Sequence, residues 1–229
     1  MNAIVTAATK GMGRAIALKL AQSGYNLAVC ARNEEELAAF VEELGSYGVK
    51  AIGLATDCGV KEEVYRFAEF VSAEFTSIDV LVNNAGIFLM GSMLDEADEV
   101  FEKQQNINLN CAYYLSKYVG KMMRNQHSGH IFNICSIAAK EAVPNAGSYT
   151  VTKSALYSLN TVLRQELSKY HVKVTAVLPG STLTASWQGT DIPTEKFVQP
   201  EDIADTIANI LKLSAGANVD EVILKPLNF

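Results

Sequence analysis

Two residues four apart, Tyr149 and Lys153, form the pair in this chain whose chemistry depends most on spacing. On a helix, side chains at i and i+4 leave the same face, so a phenol and an ammonium so placed share one cleft. A phenol ordinarily ionises near pH 10, and a neighbouring ammonium favours the phenolate, which brings proton exchange closer to neutrality. That is general acid/base chemistry. Ser136 lies 13 residues earlier and offers a hydroxyl that can bind and orient a substrate oxygen, while Asn108 places a carboxamide inside a long helical stretch. Singly, each has an ordinary explanation: a solvated lysine, a turn serine, a polar kink in a helix. Their conjunction carries the weight.

The elements that must position these groups follow from periodicity. Short apolar, β-branched runs at residues 3–6, 27–31, 51–55, 80–82, 131–134, 172–178 and 222–224 read as strands buried on both faces. Amphipathic stretches at 14–23, 34–45, 61–75, 100–124, 148–170 and 200–213 read as helices. Gly24 and Gly48 close the first two helices, and Pro200 opens the last. Strands alternating with helices predict an α/β, doubly wound parallel sheet of about seven strands, covered by helices on both faces, in a single domain over residues 1–229. Ligands of such sheets bind at strand carboxyl ends, where Ser136 falls. After the first strand, Ala7-Ala8-Thr9-Lys10-Gly11-Met12-Gly13 forms a strand–turn–helix junction whose backbone N–H groups suit a pyrophosphate. Two glycines before a helix are also just a turn, and alone the signal is even-handed.

Composition narrows the class. With 49% hydrophobic residues the chain can bury a sizeable core, and its net charge of -6 argues against a nucleic-acid backbone as partner. The four cysteines, Cys30, Cys58, Cys111 and Cys135, include no Cys-x-x-Cys pair and stand apart from the three histidines, so they read as small buried thiols rather than disulfides or metal ligands. No leader sequence is visible, and no apolar run approaches the roughly 20 residues that span a bilayer. The expectation is a cytoplasmic protein without a metal or membrane partner.

Read in order, Thr6-x-x-x-x-Gly11-x-Gly13, Asp57, Asn83-Asn84-Ala85-Gly86, Asn108, Ser136, Tyr149-x-x-x-Lys153 and Pro179-Gly180-x-x-x-Thr184 resemble the short-chain dehydrogenase/reductase family over nearly the whole chain. The resemblance implies a Rossmann fold and an oxidoreductase in which Tyr149 is the acid/base, Ser136 holds the substrate oxygen, Asn108 serves a water-linked proton relay and Lys153 also binds the nicotinamide ribose. It further implies cofactor contacts from Thr6, Lys10, Gly11, Met12, Gly13, Arg32, Asp57, Cys58, Asn83, Ala85, Gly86, Pro179, Gly180, Thr182 and Thr184. Because Ala31 and Arg32 stand where an NAD enzyme carries an acid, and Glu34 to Glu36 lie too far into the helix to replace it, Arg32 and Lys10 indicate NADP(H). Ala7 replaces the usual first glycine, so the turn must be made with a Cβ present. A short lid over 185–199, with Trp187 and Phe197 as its large apolar groups, would cover a small-molecule carbonyl or alcohol, for which 3-oxoacyl-carrier-protein, pterin-type and simple alcohol substrates are comparable candidates. Excess apolar surface on the helices at 100–124 and 148–170, including Tyr113, Tyr114, Leu156, Leu159 and Leu163, predicts a homodimer or homotetramer. The alternative is a non-catalytic NADP-binding regulator of the same fold, against which the complete Asn108, Ser136, Tyr149, Lys153 set weighs.

Overall fold

The computed structural model describes residues 1–187 and 189–228; of the expected lid, Gln188 lies outside the described residues. Seven strands form one sheet: β1 (Asn2–Thr6), β2 (Asn26–Ala31), β3 (Ala51–Ala55), β4 (Val80–Asn83), β5 (Gly129–Ile134), β6 (Val172–Pro179) and β7 (Glu221–Leu224). Their order is β3-β2-β1-β4-β5-β6-β7, with every neighbouring pair parallel. The winding reverses between β1 and β4, paired through Ala3 with Val80 and Val5 with Val82, so the loops leaving these two strands open a crevice at their carboxyl ends.

The expectation of strands buried on both faces holds in the middle of the sheet and fails at its margins. All of Val80–Asn83 is buried, whereas β3 is only partly buried and β7 includes Ile223, 43% exposed. Both are edge strands, and a strand's place in the sheet is not written in its own residues.

Helices α1 (Gly11–Gln22), α2 (Glu34–Gly45) and α7 (Pro200–Leu211) cover one face; α3 (Lys61–Glu74), α4 (Asp98–Gln105), α5 (Cys111–Gln126) and α6 (Gly147–Leu167) belong to the other. Two core layers result. Ile16, Leu20, Phe40 and Ile203 fill the first with Val5, Val29 and Phe132, and Phe67, Leu115 and Met123 fill the second with Ile4, Leu81 and Ile131. Local chemistry sets the boundaries: the Asn33 side chain accepts the Glu36 N–H at 2.8 Å to start α2, and Asp202 accepts the Gln199 N–H at 2.9 Å to start α7. Gly24 and Gly48 lie at positive φ, the second three residues beyond the end of α2 rather than directly on it.

Three helix expectations need correction. The glycine turn is shorter than expected, because α1 begins at Gly11 rather than Arg14. Leu167, not Tyr170, ends α6, and a 3-10 turn from Ser168 to Tyr170 follows. Most important, residues 100–124 are not one helix: α4 and α5 are joined by a π-helical turn, Asn106–Asn110. Its wider backbone ring admits an extra residue and shifts the side chains that follow around the axis. Apolar spacing on either side of such a turn still reads as helical, which is why periodicity alone misses it. Among the described residues, no helix is long and apolar enough to cross a membrane.

One buried titratable group marks the core. His130, 5% exposed, stacks on Phe132 at 4.0 Å and meets the Thr175 hydroxyl at 2.8 Å. Burial, reinforced by the charge of Lys173, pushes its pKa down to about 3. Below the ordinary value of about 6.5 the unfolded chain takes up a proton that the folded chain refuses, so this histidine removes stability as pH falls from there toward 3. Urea unfolding at pH 7 and pH 5 should show an acid-induced loss about 2 kcal/mol larger in the natural protein than in His130→Gln. Equal losses in the two proteins would contradict a neutral buried imidazole.

Candidate active site

Catalytic candidates come together at the carboxyl end of the sheet. Tyr149 stands in the first turn of α6 and Lys153 one turn later, and the ammonium lies 5.9 Å from the centre of the tyrosine ring. Lys153 is 4% exposed, donates to the Ile134 carbonyl at 2.9 Å, and has no carboxylate partner among the described residues. Its remaining N–H bonds and its charge are left for whatever occupies the cleft. Asn108, fully buried in the π turn, accepts the Ile87 N–H at 2.7 Å and donates to the Ile87 carbonyl at 3.0 Å and to the Thr152 hydroxyl at 3.1 Å. Thr152 in turn donates to the Tyr149 carbonyl at 2.9 Å. A Cβ at Gly86 would lie 3.2 Å from the Lys153 ammonium and 3.5 Å from Asn108 Oδ1, so this bare backbone passes directly against both.

Ser136 follows β5 in extended conformation and caps a short 3-10 turn, its Oγ accepting the Ala138 N–H at 3.1 Å. The turn explanation and the functional one therefore hold together. The acceptor role leaves the hydroxyl proton free to donate to a substrate oxygen. Behind this loop, Lys140 and Tyr157 both reach the Glu221 carboxylate at 2.5 Å, fastening it to α6 and β7. Those two hydrogen bonds hold the Glu221 carboxyl below its usual range.

A cavity of about 320 Å³ opens over the β1–β4 crevice, lined by Ala7, Thr9, Lys10, Arg32, Asp57, Cys58, Ala85 and Gly86 among others, and Gly86 is where it borders the Lys153 cluster. It is large enough for a small ligand. No side chain of Lys10 caps α1 and no acid stands in its first turn, which leaves the first N–H groups of that helix to an anion. The close seat of this turn depends on Gly13, where a Cβ would come within 2.4 Å of both the Ala7 carbonyl oxygen and Asn84 Nδ2. Pro179 ends β6, the Gly180 N–H donates to the Leu224 carbonyl at 2.7 Å, and Thr184 packs on Gly11, so the Pro–Gly segment also closes over the glycine turn. A wider hollow of about 540 Å³ opens near the start of β6 among Arg164, Lys173 and Asn218, but none of the motif residues line it, and it is at the wrong end of the strands.

Some of the expected cofactor residues have side-chain partners within the protein. Asn83 does not send its side chain to the cavity: it donates to Ser116 Oγ and Asn133 Oδ1, both at 2.8 Å, inside the core. Thr6 is 1% exposed and accepts the N–H groups of Asn84 and Ala85 at 2.9 Å each, which makes it a tie between loops. Thr182 is 5% exposed and donates to the Gly180 carbonyl at 3.1 Å. Glu36, expected to be out of reach, lines the cavity and pairs with Lys10 at 2.9 Å. In the lid, Phe197 is buried and packs against Trp187 at 5.0 Å. Sequence reading placed Asn84 in its motif without a role of its own; its amide donates to the carbonyls of Thr6 at 2.9 Å and Ala7 at 3.1 Å, and the apolar loop beside Tyr149 was missed. There Phe88 meets the Tyr149 ring edge-on at 5.0 Å, Met93 lies against Gly147, and the carboxylate of Glu96 accepts the Ser148 hydroxyl. The run of apolar residues from Ile87 to Met90 was the available signal. No cluster of three His, Cys, Asp or Glu side chains among the described residues could hold a metal ion.

Comparison with known proteins finds relatives over nearly the whole chain. Residues 1–193 match the short chain dehydrogenase family. An uncharacterised oxidoreductase of Staphylococcus aureus is 31% identical over 228 residues, covering 98% of this chain and 96% of the relative. The alcohol dehydrogenase of the archaeon Thermococcus sibiricus, solved with 5-hydroxy-NADP, superposes with a TM-score of 0.92 at 27% identity, over 100% of this chain and 97% of that one. A metagenomic short-chain oxidoreductase solved with NADP gives 0.87 at 31% identity, over 100% and 98%.

Ala7 stands at φ 51, in the left-handed region that a Cβ disfavours. Ala7→Gly should therefore raise the unfolding free energy by about 1 kcal/mol, less the larger entropy of the unfolded glycine chain. Thermal and urea melts check this, and a destabilised variant would show that the alanine is accommodated without strain.

Proposed function

The chain belongs to the short-chain dehydrogenase family, and on that premise we propose that it transfers hydride between NADP(H) and a carbonyl or secondary alcohol, with Tyr149 as acid/base. The observation that carries this reading is the Gly86 backbone, which passes against the Lys153 ammonium beside Tyr149 and also lines the cavity walled by Arg32 and Asp57. When bound, the nicotinamide ring supplies or accepts the hydride. The protein does the rest. In the reducing direction Ser136 Oγ–H and Tyr149 Oη–H both point their protons to the substrate oxygen, and Tyr149 delivers its proton as charge develops there. Lys153 supports the resulting phenolate and holds the ribose hydroxyls. Asn108 spends its carboxamide on Ile87 and Thr152 and so acts by positioning the two walls of the cleft. A non-catalytic regulator would need neither the free Ser136 proton nor the unpaired buried ammonium.

Cofactor choice rests on charge. Arg32 is exposed at the cavity and makes no ion pair with a carboxylate among the described residues, so its guanidinium is open to a 2′-phosphate. Lys10 is 70% exposed at its side chain and shares its charge with Glu36, and it can turn to the same phosphate at small cost. The substrate side favours apolar groups: Phe88, Met90, Met93, Leu94 and Val143 are all exposed in the loops that flank Tyr149. A ketone with an apolar substituent and a 3-oxoacyl thioester both meet that requirement. Of the residues expected to face a partner, Leu156 is buried and Tyr114, Leu159 and Leu163 pack on the core, so only Tyr113 stays exposed; with Val151 and Val162 it leaves apolar surface on α5 and α6, which supports assembly as a homodimer or homotetramer.

Oxidation of NADPH and NADH should be followed over a panel of hydrophobic ketones, diketones, 3-oxoacyl thioesters and pterins. NADPH should be preferred in kcat/KM by about tenfold or more, a preference that shrinks with salt and with Arg32→Asp, mainly through a raised KM for NADPH. Equal efficiency with both cofactors would show that Arg32 and Lys10 do not read the phosphate.

A further inference from the structure

We infer that Glu96 sets the preference of this site for bulky apolar carbonyl substrates: its carboxylate latches the loop after β4 onto the first turn of α6 and so holds the apolar wall beside Tyr149. The inference rests on the reading of Tyr149 as the acid/base of a carbonyl site. Glu96 acts through its neighbours, as a positioning residue.

The loop is tied down before it reaches Glu96. Asn108 holds both backbone groups of Ile87, Gln104 Oε1 accepts the Leu89 N–H at 3.2 Å, and the Gly91 N–H donates to the Asn145 carbonyl at 2.8 Å, where Gly91 also bridges Ala146. Met93 and Leu94 lie past all of these ties, and they are 61% and 88% exposed. Something must fix the far end of the segment if these two side chains are to present a defined surface, because an untethered loop loses entropy on meeting a ligand.

Glu96 supplies that fixture. Its neighbours Asp95, Asp98 and Glu99 are exposed, whereas Glu96 is turned inward. Its Oε1 accepts the Ser148 hydroxyl, and its Oε2 is buried beside Gly91, where a Cβ would lie 3.0 Å from it. One carboxylate thus touches the loop backbone at Gly91 and the helix at Ser148, the residue before Tyr149. Met93 seats alongside, for a Cβ at Gly147 would stand 2.8 Å from Met93 Cβ. Oε2 has no hydrogen-bond partner among the described residues, a costly condition for a carboxylate. The compensation lies in α6, whose first turn carries neither a side-chain cap nor an acid of its own, so that the Glu96 charge answers its positive end.

Tyr149 does not depend on this latch. The Thr152 hydroxyl donates to the Tyr149 carbonyl, Asn108 reaches Thr152, and Asn133 reaches Asn160, so α6 stays fixed to its surroundings without Glu96. Loss of Glu96 therefore loosens the wall and leaves the proton donor in place. A substrate with a large apolar group feels the change, and a small one that never reaches the wall does not.

Glu96→Ala, Glu96→Gln, Ser148→Ala and the Glu96→Ala/Ser148→Ala pair should be compared with the natural protein on a small aliphatic ketone and an aryl ketone, with NADPH titration and hydrogen exchange at the Gly91 amide. In Glu96→Ala and in Ser148→Ala the KM for the aryl ketone should rise about tenfold, while kcat, the small-ketone kinetics and NADPH affinity stay within about twofold. The Gly91 amide should exchange about tenfold faster in both. Glu96→Gln keeps an oxygen that accepts the Ser148 hydroxyl and should restore most of the natural KM, and the paired variant should be no worse than either single one, because each removes the same bond. A natural KM for the aryl ketone in Glu96→Ala, or an equal loss with both ketones, would overturn the inference. Failure of the natural protein to reduce any ketone with NADPH would instead overturn the reading of Tyr149, and Gly91 exchange would still report on the latch.

Discussion

A single buried carboxamide joins the parts of this site. Asn108 has no solvent contact, and it spends its polar atoms on both backbone groups of Ile87 and on the hydroxyl of Thr152. Ile87 belongs to the loop after β4 and Thr152 to α6, so one side chain fixes the distance between the two walls of the cleft. The Gly86 backbone meets Lys153, and Phe88 meets Tyr149, because that distance is fixed. An amide can do this since it donates and accepts at once, and leaving either function unmet in the core costs about 1–3 kcal/mol. The π turn is the backbone's contribution, aiming Asn108 across the gap between elements.

Similar ties hold the surrounding frame. Thr6, the last residue of β1, accepts two N–H groups of the loop after β4, at the point where the sheet reverses its winding. A row of amides, Asn83 to Asn133 to Asn160, crosses from β4 through β5 to α6, and Ser116 attaches it to α5. Such a row puts polar atoms inside the core but pairs nearly all of them, with Asn83 Oδ1 the atom left without a partner. Helix α6, which carries Tyr149 and Lys153, is thus tied to two strands and a neighbouring helix, which holds both side chains in fixed places. Glu221 performs the equivalent service for the Ser136 loop.

The alternation of strand and helix, the shared face of Tyr149 and Lys153, and the glycine turn were all legible in the chain because each depends on local periodicity or on fixed short spacing. What escaped depends on tertiary placement. Asn83 and Asn84 are adjacent and chemically identical, and only the pleat of β4 decides that the first turns into the core and the second toward the Thr6–Ala7 backbone. The π turn hides within a helical pattern. Glu36 reaches Lys10 because β2 and β1 are neighbours, a fact of strand order rather than of either sequence segment. Cys30, Cys58 and Cys111 come to share one core layer for the same reason.

The central claim is that this frame exists to let Tyr149 exchange a proton with a substrate oxygen. Tyr149→Phe removes that one hydroxyl while keeping the ring that packs on Phe88, so its effect on turnover, set beside its NADPH affinity and melting temperature, tests the claim most directly. Turnover should fall by about 10²- to 10⁴-fold with affinity and melting temperature nearly unchanged. Retention of more than about a third of the natural turnover would contradict the assignment of Tyr149 as the acid/base, given the size such contributions ordinarily have.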